Sequence, residues 1–344
     1  IGDDAFHCCN DLGTLTYDRS FITDEVKVKA EKISQEAFYK SGVTGPLTIP
    51  FFINQIGQKA FANCDKIDEL IIESNLEIKQ AIEEKAFYYA TIKKALEIPR
   101  SVGLIGDKAF AFTEIPSLEI QGSKYLEPVN GVPTPIGVDV KSNAFYFCKE
   151  LKTVKLGDGY IDINSNSFKG CPIETIDLGQ IEKIPDEAFY GITTLSKVTI
   201  PDNVTEIGQR AFAECSGINT ILFNPNSHLK TIKKEAFYKC SKLATTSIPK
   251  HVTTINERTY YKCFELPLIK IPQEVTEIKE FAFYQCGKFS GNLVLPSELT
   301  FIGESAFQGT AINGALNLPE SLEKIDKNAF NGCKSLSGNL VFGR

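Results

Sequence analysis

The sequence predicts an α/β repeat solenoid: a stack of short units, each contributing one short parallel strand and one short helical turn. Three observations carry the prediction. A ring returns at a near-constant interval, the apolar pattern changes period inside each unit, and a proline closes most strands.

The rings are Phe6, Phe38, Phe61, Phe87, Phe110, Phe145, Phe168, Phe189, Phe212, Phe237, Tyr260, Phe283, Phe307 and Phe330, and seven of the thirteen intervals are 23 residues. A unit of that size cannot enclose its own apolar face, so each must stack on the next. The frame around the rings is V-T-x-I-G-x-x-A-F-x-x-C-x-x-L-x-x-I-x-I-P. In one unit its first half places Ile207, Ala211, Phe212, Cys215 and Ile218 at i, i+4, i+5, i+8 and i+11, a helical spacing over about two turns. Its second half alternates. Val198-Thr199-Ile200, Ile269-Lys270-Ile271 and Leu293-Val294-Leu295 each put two apolar residues on one side of a strand.

Pro50, Pro99, Pro201, Pro249, Pro272, Pro296 and Pro319 directly follow the strand segments. Proline has no amide hydrogen to continue a ladder, so the strands must be very short. The frame runs across residues 1–344, and the expectation is a single array of about 14 repeats. At the strand spacing of about 4.8 Å it forms a curved ribbon with an arc of about 65 Å. Two intervals are long. The one between Phe6 and Phe38 carries extra residues near 18–32, and the one between Phe110 and Phe145 adds 121–139, a Pro- and Gly-bearing stretch expected to protrude as a loop.

With 37 basic and 43 acidic residues the net charge is −6, and no Lys/Arg cluster interleaves with aromatics. A nucleic-acid partner is not expected. No apolar run approaches the ~18 residues that cross a bilayer. The chain has no Met and its ends fall inside repeat units, so it is expected to be a processed or excised piece of a longer protein.

Ten cysteines invite a disulfide or metal reading. Nine of them (Cys9, Cys64, Cys148, Cys171, Cys215, Cys240, Cys263, Cys286, Cys333) lie three residues after the ring, an offset filled elsewhere by Ser41, Ala90, Thr113, Ile192 and Thr310. A position that accepts Ile and Ala needs a small or apolar buried group, so reduced thiols acting as small hydrophobes are expected. His7 and Cys8 could mimic a metal corner but supply only two ligands. Asp162 to Asn166 opens like a calcium loop, yet Ser167 stands where the loop needs glycine and Ile173 where it needs the bidentate acid. His228 and His251 have no nucleophile at a defensible spacing. No catalytic, cofactor or metal residue is assigned, and no enzyme activity is expected.

What the frame leaves free is the open face of the strands and the long insertions. The central strand position reads Glu97, Glu119, Lys155 and Asp177 in successive units, whereas Thr199, Leu222, Ser247, Val294 and Asn317 are neutral. These charged residues, with Tyr125 and Leu126 in the 121–139 insertion, are the candidate binding residues.

The segment Leu195 to Cys215, with Ile200-Pro201, Val204-Thr205, Ile207-Gly208 and Ala211-Phe212, resembles the BspA-like (Treponema pallidum type) leucine-rich repeats. The similarity covers essentially the whole chain; Ser167, Thr259 and Tyr260 are local departures. It implies a curved leucine-rich-repeat array with parallel strands on the concave face and short helical or irregular turns on the convex face. It also implies an extracellular or cell-surface protein of bacterial type. The expected function is a non-enzymatic recognition or adhesion module, binding a host protein or a glycan and acting as a monomer without cofactor. The alternative is a structural spacer or stalk presenting another domain.

Overall fold

Most repeat units contribute two short strands rather than one. In the computed structural model, which describes residues 1–17, 30–74, 79–122, 126–129, 132–135, 137–338 and 340–342, one set of strands ends at the proline of I-x-I-P and a second lies on x-I-G. The chain divides into two compact units, Ile1–Ile181 and Glu182–Arg344.

In the first unit the x-I-G strands Glu31–Ile33, Ile53–Ile56, Gln80–Ile82, Val102–Ile105, Val138–Val140 and Ile161–Ile163 form one parallel six-stranded sheet in chain order. The proline-closed strands form a pair, Gly45–Ile49 with Ile67–Ile72, and a four-stranded parallel sheet of Leu96–Ile98, Ser117–Ile120, Thr153–Leu156 and Thr175–Asp177. The second unit repeats the plan in shorter pieces. Its x-I-G strands are Lys183–Ile184, Glu206–Ile207 and Thr231–Ile232, then Thr254–Ile255, Glu277–Ile278, Phe301–Ile302 and Lys324–Ile325. Lys197–Ile200 pairs with Thr220–Phe223, Asn317–Leu318 pairs with Val341–Phe342, and Ser290–Asn292, Ala311–Gly314 and Ser335–Leu336 form a three-stranded sheet.

The expected helical turn is absent among the described residues, and the α/β assignment is corrected to a parallel β-solenoid. The reason is the backbone on either side of each ring. The residues two before and two after it are left-handed: Glu36 and Lys40 around Phe38 (φ 51° and 52°), Lys59 and Asn63 around Phe61 (53° and 58°), Arg258 and Lys262 around Tyr260 (51° and 55°). An L-residue enters that region at a cost of about 1–2 kcal/mol, so something must hold it there. Alternate amides do so by bonding to the next repeat: Glu36 N to Gln58 O (2.9 Å), Phe38 N to Ala60 O (2.8 Å) and Lys40 N to Ala62 O (2.9 Å). The amides between them close local turns, as Tyr39 N to Glu36 O (3.0 Å) and Ser41 N to Phe38 O (3.0 Å). An α-helix would send every amide to the carbonyl four residues back. The apolar spacing is the same in both conformations, because a tight turn also directs every third or fourth side chain inward.

The rings stack as predicted. From Phe6 to Phe168 consecutive centroids lie 5.0 to 5.5 Å apart with planes within 10°. From Phe189 to Phe330 they lie 5.3 to 5.9 Å apart with planes within 22°. This offset stacking is favourable beyond the area it buries, and the rings after Phe6 from Phe38 to Phe307 are buried. Repeats approach closely at the glycine of x-I-G, where a Cβ on Gly106 would sit 2.5 Å from the Glu83 carbonyl carbon and one on Gly208 2.5 Å from the Asp186 nitrogen. The prolines have a second role: their carbonyls accept from the amide three residues on, as in Val102 N to Pro99 O (3.0 Å) and Val204 N to Pro201 O (3.1 Å), turning the chain from one strand into the next.

Candidate binding faces

The charged strand positions come together as expected. The register pairs Glu97 with Glu119, Glu119 with Lys155 and Lys155 with Asp177, so four successive strands present them in one row about 14 Å long. The inward neighbours Leu96, Leu118 and Val154 are buried and fix which side chains face outward. Lys155 Nζ lies 2.7 Å from Glu119 Oε1, and that hydrogen bond raises the Lys155 pKa. Gln121 Nε2 donates to Glu97 Oε1. Beside the row, Arg100 Nη2 meets Asp158 Oδ1 at 2.9 Å. Three carboxylates therefore oppose one ammonium along the row, and its net character is acidic. Asp177 is partly committed, since its Oδ1 accepts from Gly179 N at 3.0 Å.

The insertion holds a small antiparallel hairpin, Leu126–Val129 with Val132–Pro135. Leu126 begins its first strand, while Tyr125 lies outside the described residues, as do 18–29 of the earlier insertion.

Sequence reasoning missed an aromatic cluster on the turn side of the first unit. Tyr88, Tyr89, Phe112, Tyr146 and Phe147 pack there, with Tyr89 and Phe112 stacked at 4.5 Å and 1°, and Phe112 and Phe147 at 6.1 Å and 25°. Tyr89 and Phe147 stay 48% and 38% exposed. All three stacked rings occupy the left-handed position two after the core ring (φ 56°, 63° and 52°), where other repeats use Gly170, Gly191, Gly309 or Gly332. The signal was present as an aromatic at that offset in three consecutive repeats. In the second unit Tyr238, Tyr261 and Tyr284 stack at 5.0 and 4.9 Å, with Lys239 over Tyr238 and Lys262 over Tyr261.

All ten cysteines are free. The eight from Cys64 to Cys333 are buried, and each thiol donates to the carbonyl of the ring residue one repeat back, as Cys215 Sγ to Phe189 O (2.9 Å) and Cys286 Sγ to Tyr260 O (3.0 Å). Where the offset holds Cys, the small buried group also donates. Burial pushes the Cys215 thiol up to about 12 and raises Cys240 and Cys263 well above the ordinary value. Cys9 differs from the expectation: it is exposed, like Cys8.

The structure pairs His7 not with Cys8 but with carboxylates. Its Nδ1 lies 2.9 Å from Asp4 Oδ1 and 3.8 Å from Glu36 Oε2, and Lys59 Nζ takes Glu36 Oε1 at 2.8 Å. The ammonium shares the Glu36 carboxylate through its other oxygen. Asp162 lies inside the strand Ile161–Ile163, and Asn164 Nδ2 is spent on Asp139 Oδ1 (3.1 Å) and Val140 O (3.0 Å), so this segment does not form a calcium loop. His228 Nδ1 lies 3.0 Å from Asp202 O. No helix among the described residues is long and apolar enough to cross a membrane.

Among solved structures, a leucine-rich repeat protein from Bacteroides ovatus ATCC 8483 aligns over 89% of this chain and 87% of its own, at 25% identity and a TM-score of 0.58. The T. pallidum leucine-rich repeat protein aligns over 56% and 76% at 25% identity (TM-score 0.39). A leucine rich cell surface protein from Faecalibacterium prausnitzii A2-165 aligns over 69% and 62% at 24% identity (TM-score 0.34). No curated protein matches the chain. The family model for the BspA type leucine rich repeat region matches residues 1–127, 135–228 and 223–337, and the chain therefore belongs to the BspA-type leucine-rich-repeat family.

Proposed function

We propose that the protein is a non-enzymatic recognition module of the cell surface or extracellular space that binds a protein or glycan partner as a monomer. The observation that carries the reading is the row Glu97, Glu119, Lys155 and Asp177, held in register by a four-stranded sheet and directed away from the core. A rigid row of exposed charge recognises a partner by complementarity, and its acidic balance favours a partner that presents basic groups. Membership in the repeat family supports the reading, as does the similarity to a protein described as a leucine rich cell surface protein.

A glycan array and a panel of host extracellular proteins, probed with the whole chain, identify the partner. Replacing Glu97, Glu119 and Asp177 together by Ser should weaken that binding at least tenfold while circular dichroism stays unchanged. Unchanged affinity in the folded variant removes this face from the proposal. A full-length chain that binds only through another domain would favour the spacer alternative.

A further inference from the structure

The proline-closed ladder of the second unit is interrupted, and the interruption has the chemistry of a peptide-binding site. After Lys197–Ile200 and Thr220–Phe223 the pairing shrinks to one bridge, Thr220 with Thr245. The expected strands Ile269-Lys270-Ile271 and Leu293-Val294-Leu295 do not form; the chain pairs again only at Ser290–Asn292 with Ala311–Gly314. Among the described residues, no backbone–backbone hydrogen bond uses an amide or carbonyl of Thr246, Ser247, Ile248, Leu268, Ile269 or Lys270.

The cause can be read from the ladder's progression. Asn219 N and Thr220 N both donate to Ser196 O (2.9 and 3.3 Å), and one repeat later Ala244 N and Thr245 N both donate to Asn219 O (2.9 Å each). The next pair in line is Pro267 and Leu268, and Pro267 has no N–H. Proline alone is not sufficient, because Pro116 holds the same offset and its strand Ser117–Ile120 still pairs on both sides. The difference lies in the preceding repeat: Thr246, half-buried, stands where the closed ladder has buried Leu96, Leu118 and Val154. A polar side chain at an inward position holds its strand less firmly against the core, and the loss of one of the two donors leaves less to draw it back.

A cleft of about 720 Å³ lies over this gap, with Thr245–Ile248 on one side and Pro267–Lys270 on the other, and with Lys250 at its rim. Neither wall belongs to a regular strand, and among the described residues the one hydrogen bond to the backbone groups of Thr246 to Ile248 and Leu268 to Lys270 is local, Thr246 Oγ1 to Ser247 O at 3.4 Å. We infer that the cleft binds an extended polypeptide segment, which adds as a strand and pairs with the alternate amides and carbonyls of Thr246 to Ile248 and Leu268 to Lys270 that face it. Extended peptide backbone is the ligand that offers donors and acceptors at the period these walls present, and strand addition derives its affinity from those bonds. Lys250 and Lys270, both exposed, outnumber Glu274, the one carboxylate lining the cleft, and favour a segment carrying a carboxylate side chain.

The test uses a displayed library of random heptapeptides, selected on the whole protein and counter-selected on the doubly substituted T246I/P267S chain, which restores the apolar inward residue and the missing donor. Peptides enriched on the wild type should bind the variant at least tenfold more weakly, the loss of two or so hydrogen bonds. They should slow amide exchange at alternate residues within 246–248 and 268–270 at least tenfold, and should lose binding when their own alternate amides are N-methylated. The variant's melting temperature, equal to or above the wild type's, shows that it is folded. Selection that yields no enriched peptide, peptides that bind both proteins equally, or N-methylated peptides that bind as well as their parents would each overturn the inference. A free protein whose amides at 246–248 and 268–271 already exchange as slowly as those of Val154 and Lys155 would overturn it too.

Discussion

The proline-closed faces of the two units are written in the same repeat and behave differently. In the first, Leu96–Ile98, Ser117–Ile120, Thr153–Leu156 and Thr175–Asp177 pair without a gap and carry Glu97, Glu119, Lys155 and Asp177 in a row. In the second, pairing lapses after Thr220–Phe223 and the face opens into a cleft between Thr245–Ile248 and Pro267–Lys270. One inward position separates them: Leu118 and Val154 on the closed side, Thr246 on the open side. A solenoid therefore tolerates the loss of one ladder locally, because the ring column and the turn hydrogen bonds, such as Phe237 N to Thr259 O (3.1 Å), still join the repeats on either side. The closed face presents side chains and the open face presents backbone, so the two suit different partners.

The ring column gives the largest expected effect and tests whether the open ladder has loosened the second unit. Phe110→Ala and Phe283→Ala each remove a fully buried ring and should cost about 3–5 kcal/mol. Denaturant titration should find the two costs similar; a much smaller cost for Phe283 would mean that its core is already relaxed. Converting the closed face toward the open one comes next. Val154→Thr buries a hydroxyl in place of a methyl and should cost about 1–3 kcal/mol. Amide exchange at Lys155 and Leu156 should quicken with it, and an unchanged exchange rate would mean that the inward residue does not control pairing.

A smaller gain is expected from one change in the second unit. Tyr260 is a fully buried ring whose hydroxyl has no hydrogen-bond partner, and burial raises its pKa. Tyr260→Phe should stabilise by about 1 kcal/mol, since an unsatisfied buried group costs about that much or more; a destabilised variant would show that the hydroxyl is bonded after all.

The smallest effect is a difference in pH response. Five buried thiols lie in the second unit (Cys215, Cys240, Cys263, Cys286, Cys333) against three in the first (Cys64, Cys148, Cys171). For Cys215 the folded pKa is raised from 9.0 to about 12, so its contribution to stability is complete below pH 9 and is lost as pH rises toward 12. Alkaline titration followed by site-resolved alkylation should expose the second unit's thiols first. At neutral pH only Cys8 and Cys9 should label in the folded protein, and all ten under denaturing conditions without reductant.

Much of this was legible in the residues. The ring positions foretold the stacked column, Ile98-Pro99 and Ile200-Pro201 marked true strand ends, and the row from Glu97 to Asp177 was visible as one residue per repeat. The Cys offset marked a small buried group, though not its bond to the ring carbonyl of the preceding repeat. Two expectations failed for one reason. The spacing of Ile207, Ala211, Phe212 and Cys215 fits a helix as well as it fits the left-handed turn at Arg210 and Glu214. Ile269-Lys270-Ile271 alternates like a strand yet finds no partner. Periodicity reports which side chains point inward. It does not report where the amides bond.

The amino-acid sequence by itself determined the period, the ring column and the side of each strand that meets water. These depend on volume and polarity at fixed offsets, which every repeat states for itself. Tertiary structure decided the left-handed turns, the stacking of Tyr89, Phe112 and Phe147, and the gap between Thr246 and Pro267. Each of these depends on a backbone or side-chain group meeting its counterpart one repeat away, and that meeting is a property of two units in contact rather than of either alone.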